Sequence, residues 1–264
     1  MEKIPKSKIK GVRSLFDLTD RTAVITGGSR GLGRGMALAL AAAGVDVAVV
    51  SRTHSDLNVV AEEIRELGRR GIPICADVRD ENQVERMVQH ALKELKRIDI
   101  LINSAGTVSI RPTIEFPVDD WQRVIDVNLR GVFLCCKHVG KAMLNQGRGK
   151  IINISSVRGL QGRANDPAYP SSKGAVNMLT KSLAIEWAKN NITVNALAPT
   201  FISTSINATL LDDKTIKEWI LSRIPMGRIG EIWDLFGPVL FLASSASDFI
   251  TGEVIYVDGG WTSF

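Results

Sequence analysis

Ala23-Val-Ile-Thr26, followed by Gly27-Gly28-Ser29-Arg30-Gly31-Leu32-Gly33, is the stretch on which the fold turns. A short apolar run feeds directly into a turn with four glycines, and a segment of helical period follows from Gly33 to Ala43. Glycine lets a backbone pass close to a pyrophosphate, while the helix behind the turn aims unpaired N–H groups and the positive end of its dipole at that charge. Neither the Gly-x-Gly-x-x-Gly spacing nor a Lys-Ser/Thr ending is present. The order strand, turn, helix therefore carries the reading, which is that of a mononucleotide-binding unit.

The same alternation continues outward along the chain. Val45–Val50, Ile72–Ala76, Ile98–Asn103, Lys150–Ile154, Ile192–Ala198 and Val254–Val257 read as further buried strands. Helical periods fall near Asp56–Arg70, Glu81–Leu95, Val118–Leu144, Ala168–Lys189 and Ile232–Leu242. Nearly continuous Val/Ile runs separated by helices predict an α/β fold: a single doubly wound (Rossmann-type) parallel sheet of about seven strands, covered by helices on both faces. Residues 200–231 lack a strand and predict a helical insertion over the carboxyl edge of the sheet, in the place of a substrate lid. No repeat or Pro/Ser-rich linker interrupts residues 18–264, which read as one dinucleotide-binding catalytic domain behind a basic extension over residues 1–17.

The chain has 264 residues, 45% apolar and 23% charged, the proportions of an ordinary globular protein rather than of a disordered or fibrous one. Its net charge of +5 would hint at nucleic acid if it were spread evenly. Lys3, Lys6, Lys8, Lys10 and Arg13 against Glu2 place +4 in the first thirteen residues, leaving +1 for the other 251. The body is electrically balanced, so neither a nucleic-acid nor a membrane partner is expected. No run of about 18 uncharged apolar residues exists, and Met1 to Leu18 lacks the pattern of an export signal. Three cysteines without a paired pattern fit a reducing compartment, and a cytoplasmic protein is expected. His54, His90 and His138 show no metal-ligand spacing, so no metal is expected.

Two further positions address the ligand. The second strand ends in Ser51-Arg52, where a dinucleotide reader specific for NAD usually places a carboxylate against the ribose 2′-OH. Arg52, with Arg30 in the glycine turn, instead offers two cations to a 2′-phosphate, which favours NADP(H) over NAD(H). Farther on, Tyr169 and Lys173 stand four apart at the start of a helical segment and share a face. An ammonium beside a phenol favours phenolate and should lower its pKa from about 10 toward the working range of a general acid/base. Pro170 is tolerated only within the first turn, so the phenol sits at the helix entrance. Ser156 follows the strand Lys150–Ile154 at its carboxyl end, where open α/β sheets bind ligands and a hydroxyl can polarise a carbonyl.

In this order and spacing, the motifs resemble the classical short-chain dehydrogenase/reductase family from about Leu18 to Trp261. They are Thr26-Gly-x-x-x-Gly-x-Gly33, Asp77, Asn103-Ser-Ala-Gly106, Asn128, Ser156, Tyr169 with Lys173, and Pro199 with Thr204. The resemblance implies that Tyr169 is the acid/base and Ser156 grips the reacting oxygen. Lys173 would bond the nicotinamide ribose and tune Tyr169, and Asn128 would hold a water of a proton relay. The cofactor would lie along Gly27, Ser29, Arg30, Gly31, Leu32, Gly33, Ser51 and Arg52. Asp77 and Val78 would meet its adenine side, Asn103, Ala105 and Gly106 its adenosine-side backbone, and Pro199, Ile202 and Thr204 the nicotinamide. Two positions depart from the family: Ser104 replaces a second Asn, and Thr200 replaces a Gly whose φ freedom is then lost beside the nicotinamide.

Within the family, the run from Arg223 through Asp248 to Trp261 is similar to sugar-acid dehydrogenases of the gluconate type. Such a substrate needs a cation for its carboxylate, and Arg158, Arg163 and Arg111 are expected to rim the cleft, Arg163 foremost. A 3-oxoacyl-acyl-carrier-protein reductase shares the motifs, and a non-catalytic nucleotide-binding module would keep the fold. The apolar arcs of Val118–Leu144 and Ala168–Lys189 exceed one covered face. The resemblance implies that these helices pair across a two-fold, giving a dimer or a homotetramer.

Overall fold

The computed structural model of the chain describes residues 9, 11–204 and 212–263. All but Arg13 of the basic residues behind the expected N-terminal arm therefore lie outside the described residues, as do positions 205–211 of the expected insertion. Among the described residues there are seven strands: β1 (Thr22–Thr26), β2 (Asp46–Ser51), β3 (Gly71–Cys75), β4 (Ile100–Asn103), β5 (Gly149–Ile154), β6 (Ile192–Pro199) and β7 (Val254–Val257). They form one parallel sheet in the order β3-β2-β1-β4-β5-β6-β7. Each sequence-predicted strand lies within two residues of its place.

The helices are α1 (Gly31–Ala42), α2 (His54–Glu66), α3 (Glu81–Leu95), α4 (Val118–Ile125), α5 (Gly131–Gln146), α6 (Ala168–Trp187), α7 (Lys214–Ser222) and α8 (Phe236–Ala243). Burial on both faces explains why the strands read as unbroken apolar runs. In β1, Val24 packs into the core shared with α3, α5 and α6, while Ala23 and Ile25 pack into the core shared with α1, α2 and α8. In β4, Leu101 and its neighbours Ile100 and Ile102 divide in the same way. The strand order reverses between β1 and β4, which opens a crevice beyond their carboxyl ends.

The expected helix Val118–Leu144 is present but carries an irregular turn. A π-turn over Asp126–Arg130 separates α4 from α5, with Asn128 at its centre. The fully buried Asn128 accepts a hydrogen bond from Thr107 N (2.8 Å) and donates through Nδ2 to Thr107 O (2.9 Å). Such π-bulges bend a helix locally and recur at functional sites. Apolar periodicity continues across the bulge, so the sequence pattern conceals it. Among the described residues no helix is long and apolar enough to cross a membrane, and no group of His, Cys, Asp or Glu could hold a metal ion.

Candidate active site

The glycine turn is shaped by contacts that admit no side chain. Gly27 has φ +65°, and a Cβ there would lie 2.8 Å from the Ala105 backbone at the exit of β4. A Cβ on Gly33 would collide with the Gly27 carbonyl, so α1 begins pressed against the turn. Helix α1 starts at Gly31 rather than at the expected Gly33, which brings its N-terminal amides nearer the crevice.

A cleft of about 650 Å³ begins at this turn. At one end it is lined by Gly27, Ser29, Arg30, Leu32, Gly33, Ser51 and Arg52. Arg30 and Arg52 are exposed, and neither guanidinium makes a hydrogen bond or salt bridge among the described residues. Asp77, by contrast, is engaged. Arg79 donates to its carboxylate from Nε (3.0 and 3.1 Å), Nη2 (2.6 Å) and its own backbone N (3.0 Å), which holds the carboxyl below its usual range. Arg79 also lines the cleft and was not singled out in the sequence. Only its place two residues after Asp77 could have signalled it.

The other end of the cleft holds Ser156, Tyr169 and Lys173. Ser156, just past β5, accepts a hydrogen bond from Arg158 N (3.1 Å), and its hydroxyl is near enough to the Tyr169 phenol to favour phenolate. Helix α6 opens at Ala168 with Pro170 in its first turn, and the buried Asp166 carboxylate accepts from Tyr169 N (3.3 Å). Lys173 is buried, its Nζ donates to Ile154 O (2.6 Å), and it lies 5.6 Å from the centre of the Tyr169 ring. The expected lowering of the phenol pKa is not found here. Burial, helped by the Asp166 charge, raises Tyr169 above its ordinary value and outweighs the lowering effects of the Ser156 hydroxyl and the Arg158 and Arg163 charges. Burial likewise pulls Lys173 down to about 8. Desolvation disfavours the charged form of each group, and Lys173 spends a donor on a carbonyl rather than on the phenol.

Most sequence-predicted positions border this one cleft. Val78, Ala105, Gly106, Pro199, Ile202 and Thr204 line it together with those already named, while Gly31, Asn103 and Asn128 do not. Asn103 is turned inward, donating to Asn153 Oδ1 (2.9 Å) and Cys136 Sγ (3.3 Å). Asn128 stands behind Gly106 and receives Thr107 N, while its Nδ2 also reaches Ser172 Oγ (3.1 Å). Of the three loop arginines, Arg158 and Arg163 line the cleft and Arg111 does not. Arg123 lines it instead, donating to Thr107 Oγ1 (2.8 Å) and Asp120 Oδ1 (3.1 Å). Thr200 lines the cleft without a positive φ, so the backbone there does not require glycine. Its hydroxyl is buried and makes no hydrogen bond among the described residues.

The residues present fit a dinucleotide: a cradle that a single Cβ would fill, a helix N-terminus opening on it, and beyond them two guanidiniums without a hydrogen bond or salt bridge among the described residues. Comparison with known proteins agrees. The family model described as Enoyl-(Acyl carrier protein) reductase matches residues 27–262, which is most of the chain. The chain belongs to the short-chain dehydrogenase/reductase family. As a short-chain dehydrogenase/reductase it is an oxidoreductase acting on a CH–OH group. This short-chain dehydrogenase/reductase is 41% identical over 251 residues to the 2-dehydro-3-deoxy-D-gluconate 5-dehydrogenase of Escherichia coli (strain K12), covering 95% of the chain and 98% of the relative. It is 40% identical over 249 residues to a 3-oxoacyl-[acyl-carrier-protein] reductase of Synechocystis sp., covering 94% and 99%. Among solved structures, it resembles the gluconate 5-dehydrogenase from Burkholderia cenocepacia J2315 in complex with NADP and tartrate, with TM-score 0.92 and 39% identity over 95% of this chain and 98% of that one.

Proposed function

We propose that the protein interconverts a secondary alcohol and a ketone on a sugar acid of the gluconate/5-ketogluconate type, with NADP(H) preferred over NAD(H). The observation that carries this reading is the convergence of Ser156, Tyr169 and Lys173 in the cleft that begins at the glycine cradle. A bound nicotinamide supplies or accepts the hydride. In the reducing direction the Tyr169 phenol gives its proton to the substrate oxygen, which the Ser156 hydroxyl holds by a hydrogen bond. The Lys173 ammonium stabilises the negative charge left on the phenol. Asn128, fixed by Thr107 and Ser172, anchors the bulge behind Gly106 in the place of the relay water's holder.

Arg30 and Arg52 support the NADP(H) preference, since neither guanidinium makes a hydrogen bond or salt bridge among the described residues and no carboxylate ends β2. Gly27, Ser29, Gly31, Leu32, Gly33, Ser51, Asp77, Val78, Asn103, Ala105, Gly106, Pro199, Ile202 and Thr204 complete the proposed cofactor site. Arg158 and Arg163 are assigned to the substrate carboxylate, with the segment 200–231 as a lid within a single catalytic domain. Exposed Phe133 on α5, and Met178 and Ile185 on α6, support a homotetramer built through these helices. A cytoplasmic setting without membrane or nucleic-acid partners completes the reading.

The relative from Synechocystis favours a second reading, 3-oxoacyl-acyl-carrier-protein reduction. Steady-state NADPH oxidation separates the two. The purified protein should turn over 5-ketogluconate and leave an acetoacetyl thioester nearly untouched, and the reverse preference would overturn the sugar-acid assignment. A Tyr169→Phe variant that keeps the protein's full function would instead identify a non-catalytic nucleotide-binding module.

A further inference from the structure

The last turn of the chain is built around a buried indole. Trp261 donates from Nε1 to Gln161 Oε1 (2.8 Å) and packs against Phe201 (ring centres 5.7 Å apart) and the edge of Trp219 (5.8 Å). The turn that carries it is tied down by Asp258, whose carboxylate accepts from Gly260 N (3.0 Å), Thr262 N (2.9 Å) and Thr262 Oγ1 (2.6 Å). Trp261 does not itself line the cleft. It stands behind a residue that does: the Arg158 guanidinium lies 5.4 Å from the centre of its ring. Arg158 spends one donor on Gly162 O (2.9 Å), leaving the remaining N–H groups of the planar fork available.

Charge around this fork is unbalanced. Arg223, at the end of α7, stands 5.9 Å from the same Trp261 ring, and Arg163 lies 3.9 Å from Asp166. Arg158 and Arg163 thus share the charge of one buried carboxylate, Asp166, whose Oδ1 also accepts from Tyr169 N, and Arg223 adds a third cation beside the Trp261 ring. Burial and the Arg163 and Arg223 charges weaken the hold of Arg158 on its proton, a tension that an anion in the cleft would relieve. An aromatic face attracts a guanidinium through its quadrupole and fixes the plane in which the fork can meet a carboxylate.

We propose that Trp261 is the positioning residue that sets substrate specificity, holding Arg158 against the cleft wall so that the anionic end of a substrate is selected over a neutral one. The proposal rests on the sugar-acid reading above, in which Arg158 meets the carboxylate. Because Trp219 and Arg223 of the α7 region use the same ring, Trp261 also joins that helix to the loop after Ser156.

The test compares 5-ketogluconate with its neutral methyl ester, using the full chain and NADPH. Trp261→Leu should raise KM for the acid about tenfold, the scale of a lost cation–π anchor. kcat, KM for NADPH and KM for the ester should stay within about twofold, since all but the anion contact is kept. Trp261→Phe, which keeps a ring, should recover most of the affinity. In an Arg158→Lys background the Trp261→Leu change should add nothing, because the stacked fork is already gone. Should Trp261→Leu fail to fold, Gln161→Leu, which frees the indole from its acceptor, should shift the same KM in the same direction. Equal losses on acid and ester, or an unchanged KM for the acid in an active protein, would overturn the proposal alone. A wild-type protein inactive on every hexonate would overturn the sugar-acid reading and the proposal with it.

Discussion

Replacing Arg52 with Ala removes a guanidinium from the far end of the cleft that makes no hydrogen bond or salt bridge among the described residues and acts on Asp77 only through its charge. The change is therefore read almost entirely in ligand affinity. A hydrogen bond to a charged group contributes about 1.5–3 kcal/mol, and exposure of Arg52 to solvent and salt argues for the lower end. About 1.5 kcal/mol corresponds to roughly a tenfold rise in KM for NADPH. NADH has no 2′-phosphate, so its KM should hardly move. Arg30→Ala should act alike, and the double variant should lose about a hundredfold if the two contacts are independent. Arg52→Asp goes further, since it installs at the end of β2 the carboxylate that accepts from a ribose 2′-OH, and should reverse the preference toward NADH. The assay is steady-state kinetics with both cofactors at one fixed ionic strength. Equal shifts for NADPH and NADH, or none for NADPH, would refute the assignment of these arginines to a phosphate.

Two further outcomes follow from buried polar groups. Lys173 has its pKa depressed from 10.5 to about 8, so between these values the unfolded chain binds more protons and wild-type stability should rise with pH relative to Lys173→Met. The gain is about 3 kcal/mol across that window at about 1.4 kcal/mol per unit, and urea unfolding of both proteins from pH 7 to 10.5 would show it; a constant difference would contradict it. Thr200→Val removes a buried hydroxyl that makes no hydrogen bond among the described residues and keeps its shape, so it should stabilise the protein by about 1 kcal/mol, a rise in Tm of about 2–4 °C. A fall in Tm would mean that the hydroxyl has a partner.

Local pattern made the sheet legible. Val24 and Ile25 face opposite cores, so β1 is buried at every position and its centre Ala23–Ile25 is an unbroken apolar run, as are the centres of its parallel partners. The glycine turn was legible for a similar reason, because Gly27 and Gly33 answer to contacts within the turn or with the neighbouring strand exit. What escaped the sequence depends on residues brought together from afar. Asn128 closes on Thr107 and bulges the helix, yet the apolar period runs on through it. The loop after β4 leaves Arg111 outside the lining of the cleft and puts Arg123 in it. Trp261 follows β7 and Arg158 follows β5, and they meet because β6 alone separates those two strands in the sheet. The Tyr169–Lys173 spacing gave their shared face but not the balance of charge. Burial, invisible in a four-residue interval, shifts both groups toward their neutral forms.

The proposed chemistry hangs on a single proton at the Tyr169 oxygen. Turnover of NADPH and 5-ketogluconate by Tyr169→Phe, with NADPH binding measured separately by fluorescence titration, tests it most directly. Binding should be preserved within a few fold while kcat falls at least about a hundredfold, the lower range for loss of a general acid. A variant that binds NADPH normally and turns over within tenfold of wild type would contradict the account.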